Sequence, residues 1–422
     1  MKKRLLSAAL ALAMVLTLLP LSAMPAFAAT SVGTAITGND ANLNAHKTGL
    51  RYFGLGQLPV VGMTPGWYLV DTWTKSGDTT YYEVQYGVVA GSTWYESAQA
   101  AVNANQYNFT LLTNGSISTW GSAASVALNV DMNGYSLSVP AWQSGVTGIT
   151  LTDPNLLDHQ TRGKGTLSAG FTKSDYTKPF TFCATNVKVG ALDFSGNRNS
   201  VTLNNAEAGA ITLNGMTVNG TTTTYTGQSL QASNGSSITG AVSITGDSNT
   251  FTLSNTSVTN NIEVKASGGT VQISDNCNIT GKVTVGPRTN QDVNTTLPSV
   301  TVTGSTLGGL ERTAKPTDTV AAGGNSQSNS FSVSSSTIGS SGIATEFGSV
   351  SITSSTVSGP VIVKASNQNQ GLSLNGANLA GTLTLGGTSS DSVSLSITGT
   401  NNTIGASGIT KNGIINQNNS FN

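Results

Sequence analysis

The chain has 422 residues and only 9% of them are charged, 19 basic against 19 acidic. It therefore has no basic stripe to displace the counterions of a nucleic acid, and no electrostatic reason to hold an anionic membrane. Serine, threonine, asparagine and 49 glycines stand in place of charge, a composition that also suits disorder, but disorder has no use for the regular Val, Ile and Leu spacing described below.

Residues 1–28 read as a signal peptide. Lys2, Lys3 and Arg4 form a positive start, an apolar run begins at Leu5, and Ala26-Phe27-Ala28 offers a small-x-small site for cleavage before Ala29. The run is long enough to raise a membrane anchor as an alternative. Pro20 and Pro25 at its far end, with no basic stop-transfer cluster after them, argue against it. The expectation is a bacterial protein, exported to the cell surface or beyond, with no stable membrane insertion once the peptide is removed.

Residues 29–90 form a β-rich aromatic segment. Trp67-Tyr68-Leu69-Val70 and Tyr81 to Tyr86 are expected to make a hairpin through Ser76-Gly77-Asp78. Residues 91–125 hold a capping helix and a first strand. Trp94, Ala98, Ala101 and Val102 recur at helical spacing, Ser92 or Thr93 supplies the N-cap, and Asn103-Ala104-Asn105 ends the helix before Phe109-Thr110-Leu111-Leu112.

Residues 126–422 carry a repeat. Two alternating apolar residues, a gap of four, one apolar residue and another alternating pair describe Phe251, Leu253, Val258, Ile262 and Val264. The same unit returns, once with an insertion, at Val271, Ile273, Ile279, Val283 and Val285, at Val350 to Val363, and at Leu372 to Leu385. A looser copy is Phe180, Phe182, Val187, Leu192, Phe194, and partial copies start at Ile211, Val300 and Phe331. Starts lie 20 residues apart from 251 to 271 and 31 apart from 300 to 331, where a loop such as 315–328 intervenes. Alternation of period two turns one side of each short strand inward. Gly, Asn and Ser between strands permit sharp corners. One such unit cannot bury its own apolar side, whereas stacked units can. The expected fold is all-β, a right-handed parallel β-helix, the hand following from the rule for parallel crossovers. A β-sandwich also uses short strands and turns, but it needs no repeated unit.

The entry into the repeat, Tyr95 to Val102, then Phe109 to Leu112, then Leu128-Asn129-Val130-Asp131-Met132-Asn133-Gly134-Tyr135-Ser136-Leu137-Ser138, resembles that of the pectin-lyase-like β-helix proteins exported by Clostridia-type bacteria. In these a helix caps the barrel and a strand of the type L-D-L-N-G-x-x-L starts the coils. Ile149 to Asp153 and Gly163 to Leu167 continue in that style, so the likeness covers roughly residues 85 to 170 by motif and the remainder by pattern. It implies fold far more than activity. Many such relatives carry S-layer homology repeats; none is found here, and no sortase-type signal precedes Ser420-Phe421-Asn422.

β-Helix enzymes mostly cut acidic polysaccharides, which calls for paired carboxylates, or carboxylates holding a cation beside a basic residue. From residue 170 the acids are Asp175, Asp193, Glu207, Asp247, Glu263, Asp275, Asp292, Glu311, Asp318, Glu346 and Asp391, scattered at about one per coil, with Asp247 and Asp275 the first pair to inspect. His46 and His159 are the only histidines, and Asp153 or Asp158 beside His159 singles out no nucleophile among so many serines. No catalytic residue, metal set or cofactor is assigned. Cys183 and Cys277 would lie four or five coils apart, roughly 20 Å, too far to bridge, and are expected as free thiols packed like small apolar residues.

Two surfaces remain for binding. Trp67, Trp73 and Tyr82, with Tyr68, Tyr81, Tyr86 and Trp94, could stack on sugar rings or make the core of their own segment. The outward side of the first strand of each coil should stack Thr212, Thr252, Gln272, Thr301, Ser332, Ser351 and Ser373 in one row. Asn214, Ser254, Ser274, Thr303, Ser334, Thr353 and Asn375 should form a second row beside it. The expected function is that of a secreted, non-catalytic, adhesin-like protein whose flat Ser/Thr/Asn face meets an extracellular glycan or a surface protein. A polysaccharide lyase or glycoside hydrolase on the same fold is the alternative, and a crystal- or ice-binding face a weaker third.

Overall fold

The computed structural model describes residues 50–53, 66–69, 73–75, 78–80 and 88–412, except 92, 96, 112, 124, 155–162, 176, 220–221, 289–296, 314–329, 347, 365–368, 388–391 and 406–407. Calls on the signal peptide, His46, Tyr81 to Tyr86, His159 and the 315–328 loop fall outside these residues.

The chain is all-β and solenoid-like. One repeat contains three short strands, Ser200–Asn204, Glu207–Ala208 and Ile211–Asn214. Each pairs in parallel with its counterpart in the next repeat, Val201 with Leu230, Ala208 with Ile238 and Ile211 with Val242. The first-strand ladder then runs through Phe251, Val271, Val300, Phe331, Val350, Leu372 and Leu395. The second passes through Val258, Ile279, Leu307, Ile338, Val357, Leu379 and Ile404, and the third through Ile262, Val283, Leu310, Ile343, Val361, Leu383 and Ile409. Val258, Ile279 and Val357 are buried in one shared core cluster. Burying each such side chain contributes about 1.5–3 kcal/mol. The facing antiparallel sheets of a sandwich are not present among the described residues; antiparallel pairing occurs there only in hairpins and next to the N-terminal one.

The corners have separate physical causes. Between first and second strands the chain takes the left-handed conformation, as at Asn186, Asn205, Asn234, Asn255, Asn276, Ser335 and Ser354. Asparagine tolerates that region because its short amide can bond locally. Asn205 Nδ2 donates to Asn186 Oδ1 at 2.8 Å, joining successive corners. Just inside, Ser236, Thr256, Cys277, Ser305, Ser336 and Ser355 are buried in line. Ser336 shows the logic: its hydroxyl donates to Ser334 O at 2.6 Å and accepts Ser305 N–H at 3.2 Å. The hydroxyl thus satisfies a peptide group that the bend leaves without a strand partner. At the corner between second and third strands successive backbones nearly touch. A Cβ on Gly381 would lie 2.2 Å from Gly359 O, so that place admits only glycine.

Near the N-terminal end the helix is Ala98–Asn103, capped by Ser97, whose side chain accepts Ala100 N–H at 3.1 Å. This corrects the expected cap at Ser92 or Thr93. Trp94 belongs instead to the strand Thr93–Tyr95, paired antiparallel with Val88–Ala90 around Gly91, whose φ of 58° makes the reversal. Ala98, Ala101 and Val102 are buried in the same core as the ladders. In the aromatic segment the Tyr81 to Tyr86 half of the expected hairpin lies outside the described residues. Gly66–Leu69 pairs with Leu50–Phe53, and Trp73–Lys75 pairs with Asp78–Thr80. Asp78, the last residue of the expected turn, registers with Lys75 in that pair.

Candidate binding face

The outward first-strand positions form two continuous rows. The first runs Asn129, Thr150, Cys183, Thr202, Gln231, Thr252, Gln272, Thr301, Ser332, Ser351, Ser373 and Ser396, each in parallel register with the next. Beside it stand Asp131, Thr152, Thr185, Asn204 and Ser233, then the pair Ser254 and Ser274, then Thr303, Ser334, Thr353, Asn375 and Thr398. Thr252, Thr301 and Ser351 therefore share one row. Their neighbours along the strand, such as Phe251 and Val302, point into the core.

Thr212 and Asn214 do not belong here. Thr212 pairs with Asp193 and Ser243 on the third side, and Asn214 with Thr245. The cause is visible in the residues: Val201-Thr202-Leu203-Asn204 and Ile211-Thr212-Leu213-Asn214 have the same pattern on two strands of one repeat. Thr202 and Asn204 hold the places assigned to Thr212 and Asn214. Trp67 and Trp73 lie on strands paired with Tyr52 and Thr80, and Tyr82 lies outside the described residues.

The 31-residue spacing from Val300 to Phe331 leaves the rows unbroken, since Thr301 still registers with Ser332. At the other end the face is closed. Asn108–Leu111 adds in parallel to Val126–Asp131, and Val88–Ala90 adds antiparallel beyond it. A cleft of about 220 Å³ opens there, lined by Val89, Gly91, Asn108, Thr110, Asn129, Asp131, Thr150 and Thr152 together with Phe109 and Val130. Burial pushes the Asp131 carboxyl above the usual carboxylate range; the Asn133 N–H opposes this, and the nearby Asp153 charge adds to it. Sequence reading took Leu128 to Ser138 as an opening motif only. The alternation that puts Asn129 and Asp131 outward was the signal that they extend the rows.

Several of the described acidic residues are paired with cations. On the third side Glu263 meets Lys265 at 2.9 Å, Glu311 meets Lys282 at 2.8 Å, and Asp247 meets Arg288, whose guanidinium lies 4.4 Å above the Tyr225 ring. Elsewhere Glu346 meets Lys364 at 2.6 Å and Glu207 meets Lys188 at 3.2 Å. Glu311, Asp247, Glu346 and Glu207 tie repeats together, whereas Glu263 and Lys265 share one strand. Asp247 and Asp275 do not form a pair: they flank opposite ends of a first strand, and Asp275 accepts Ser254 and Ser274 hydroxyls at 2.8 Å each. Those two bonds hold its carboxyl below the usual range. Both cysteines are free. Cys277 is buried as expected, but Cys183 faces outward, half-buried between Thr150 and Thr202.

Two buried cations were not foreseen. Lys173 has no exposed surface, and Arg312 is 1% exposed with its guanidinium 4.4 Å above the Phe331 ring. Among the described residues no helix is long and apolar enough to cross a membrane, and no three His, Cys, Asp or Glu side chains gather as a metal set. Comparison with protein-family models, with curated proteins and with solved structures gives no match.

Proposed function

We propose that this chain is an exported, non-catalytic protein of the pectin-lyase-like kind, a right-handed parallel β-helix that works at the cell surface or beyond as an adhesin-like binder. Its two outward rows meet an extracellular glycan. The hand follows from the crossover rule, and export from the charged and apolar start of the chain. The observation that carries the binding assignment is the continuous register of outward positions from Asn129 to Ser396, hydroxyls and amides except at Cys183. Side chains of one chemical kind at a fixed rise suit a ligand that is itself a repeat of hydroxyls. The pairing of Glu263, Glu311 and Asp247 with cations supports the non-catalytic part, because a hydrolytic acid and base must be available to substrate.

A glycan array with the mature protein tests this, alongside Thr301→Lys and Ser351→Lys variants. Retention of one or more glycan classes by the native protein, with at least tenfold weaker retention by both variants, is expected. Equal retention by the variants overturns the face. Release of reducing ends or unsaturated products from pectin, other uronates or mucin glycans overturns the non-catalytic reading.

A further inference from the structure

The N-terminal cleft differs from the rest of the face. Register places its polar side chains as a small grid, with Asn108, Asn129 and Thr150 in one line and Thr110, Asp131 and Thr152 in the other. At the usual strand spacing and pleat this grid measures about 10 Å by 7 Å. Phe109 and Val130, between the lines, are 3% and 2% exposed and face the core, so the floor is hydroxyl, amide and carboxyl. On one side the grid continues into Cys183 and Thr185. On the other the hairpin Val88–Ala90 and Thr93–Tyr95 ends it, with Val89 registered on Thr110. The trough is open at one end and stopped at the other.

Chemistry narrows the occupant. No Lys, Arg or His lines the cleft, so a phosphate, sulfate or uronate would face Asp131 with nothing to neutralise it. Among the described lining residues Val89 is the outward apolar one, a small contact for an aromatic or lipid ligand. Among the described residues Asp131 accepts Asn133 N–H at 3.1 Å, and a carboxylate has further lone pairs for other donors. A volume of about 220 Å³ lies below the roughly 300–1,000 Å³ of sites that enclose drug-sized ligands. That is the scale of a single sugar ring.

We infer that this cleft binds the terminal sugar of a neutral glycan, with Asp131 accepting two of its hydroxyls, Asn108 and Asn129 bonding others, and Val89 against its C–H groups. The inference rests on the glycan-binding function proposed above and assigns to that face a chain-end site. The glycan would lie along the rows and stop against the hairpin.

Titration of the full chain with methyl glycosides of glucose, galactose, mannose, N-acetylglucosamine, glucosamine and glucuronic acid, read by ligand-observed NMR, tests it. At least one of the four neutral glycosides should bind. Asp131→Ala and the cleft-filling Thr150→Arg should each weaken that binding at least tenfold, while Thr384→Lys on the third side should leave it unchanged, all with native unfolding midpoints. Lack of binding by every neutral glycoside, binding of the ammonium or carboxylate sugar alone, or full binding by Asp131→Ala overturns the inference. Should long glycans bind on the array and no methyl glycoside bind here, the chain-end site falls and the face stands. The opposite result removes the face and keeps the cleft.

Discussion

Lys173 is an ammonium with no exposed surface, and it donates to Asp175 O and Lys178 O at 2.6 Å and to Ser195 O and Asn199 Oδ1 at 3.1 Å. It holds the loop after its own strand against the next repeat. Burial pushes it from the ordinary 10.5 down to about 8, so it is still protonated at neutral pH. Replacing it by Met leaves those oxygens without a donor, at about 1–3 kcal/mol. The pH effect has a definite sign. Between pH 8 and about 10.5 the unfolded chain keeps a proton that the folded chain has released, so stability contributed at this site rises with pH, by up to about 3 kcal/mol. Urea unfolding at pH 7.5 and pH 10 should show native protein gaining on Lys173→Met; a constant difference would remove this account of the buried amine. Asn205 makes the second residue-scale case. Its φ of 49° is costly for alanine, about 1–2 kcal/mol, and nearly costless for glycine. Stability should therefore rank native, then Asn205→Gly, then Asn205→Ala. Equal midpoints for the two variants would contradict a left-handed corner.

At the scale of the strand and its corners, first and third strands are each set by two inward side chains and second strands by one. Gly381 tests the tighter corner. Because the obstructing atom is Gly359 O, a backbone atom, Gly381→Ala must push two repeats apart. Overpacking of this kind costs about 1–3 kcal/mol, read as a lower midpoint in urea; an unchanged midpoint would mean that the repeats do not approach so closely. The inward positions were legible in the sequence, since Phe251, Leu253, Val258, Ile262 and Val264 are all buried where period two and the repeat put them. The assignment of strands to sides was less legible. Thr202 and Thr212 have the same neighbours in the sequence, and only pairing across repeats separates them. The inner line from Ser236 to Ser355 was hidden for another reason: serine is so common here that a buried serine looks like an exposed one until its partners are known. Asp131 was legible by alternation, but its cleft depends on Val88–Ala90 folding back onto Asn108–Leu111, a contact no local pattern encodes.

Over the whole molecule, three ladders share one interior, and side chains far apart in sequence acquire a fixed linear order outside it. The flat face and the cleft at its end both depend on that order. Spin labels on the first row measure it directly. Thr301 and Ser351 are two rungs apart, Thr252 and Ser351 four, and Thr252 and Ser396 six. At about 4.8 Å per rung the pulsed-EPR distances should grow in proportion, near 10, 19 and 29 Å before allowance for the label arms. A set that fails to lengthen with rung number, or that places Ser396 nearer to Thr252 than Ser351 is, would show that the repeats do not stack in register.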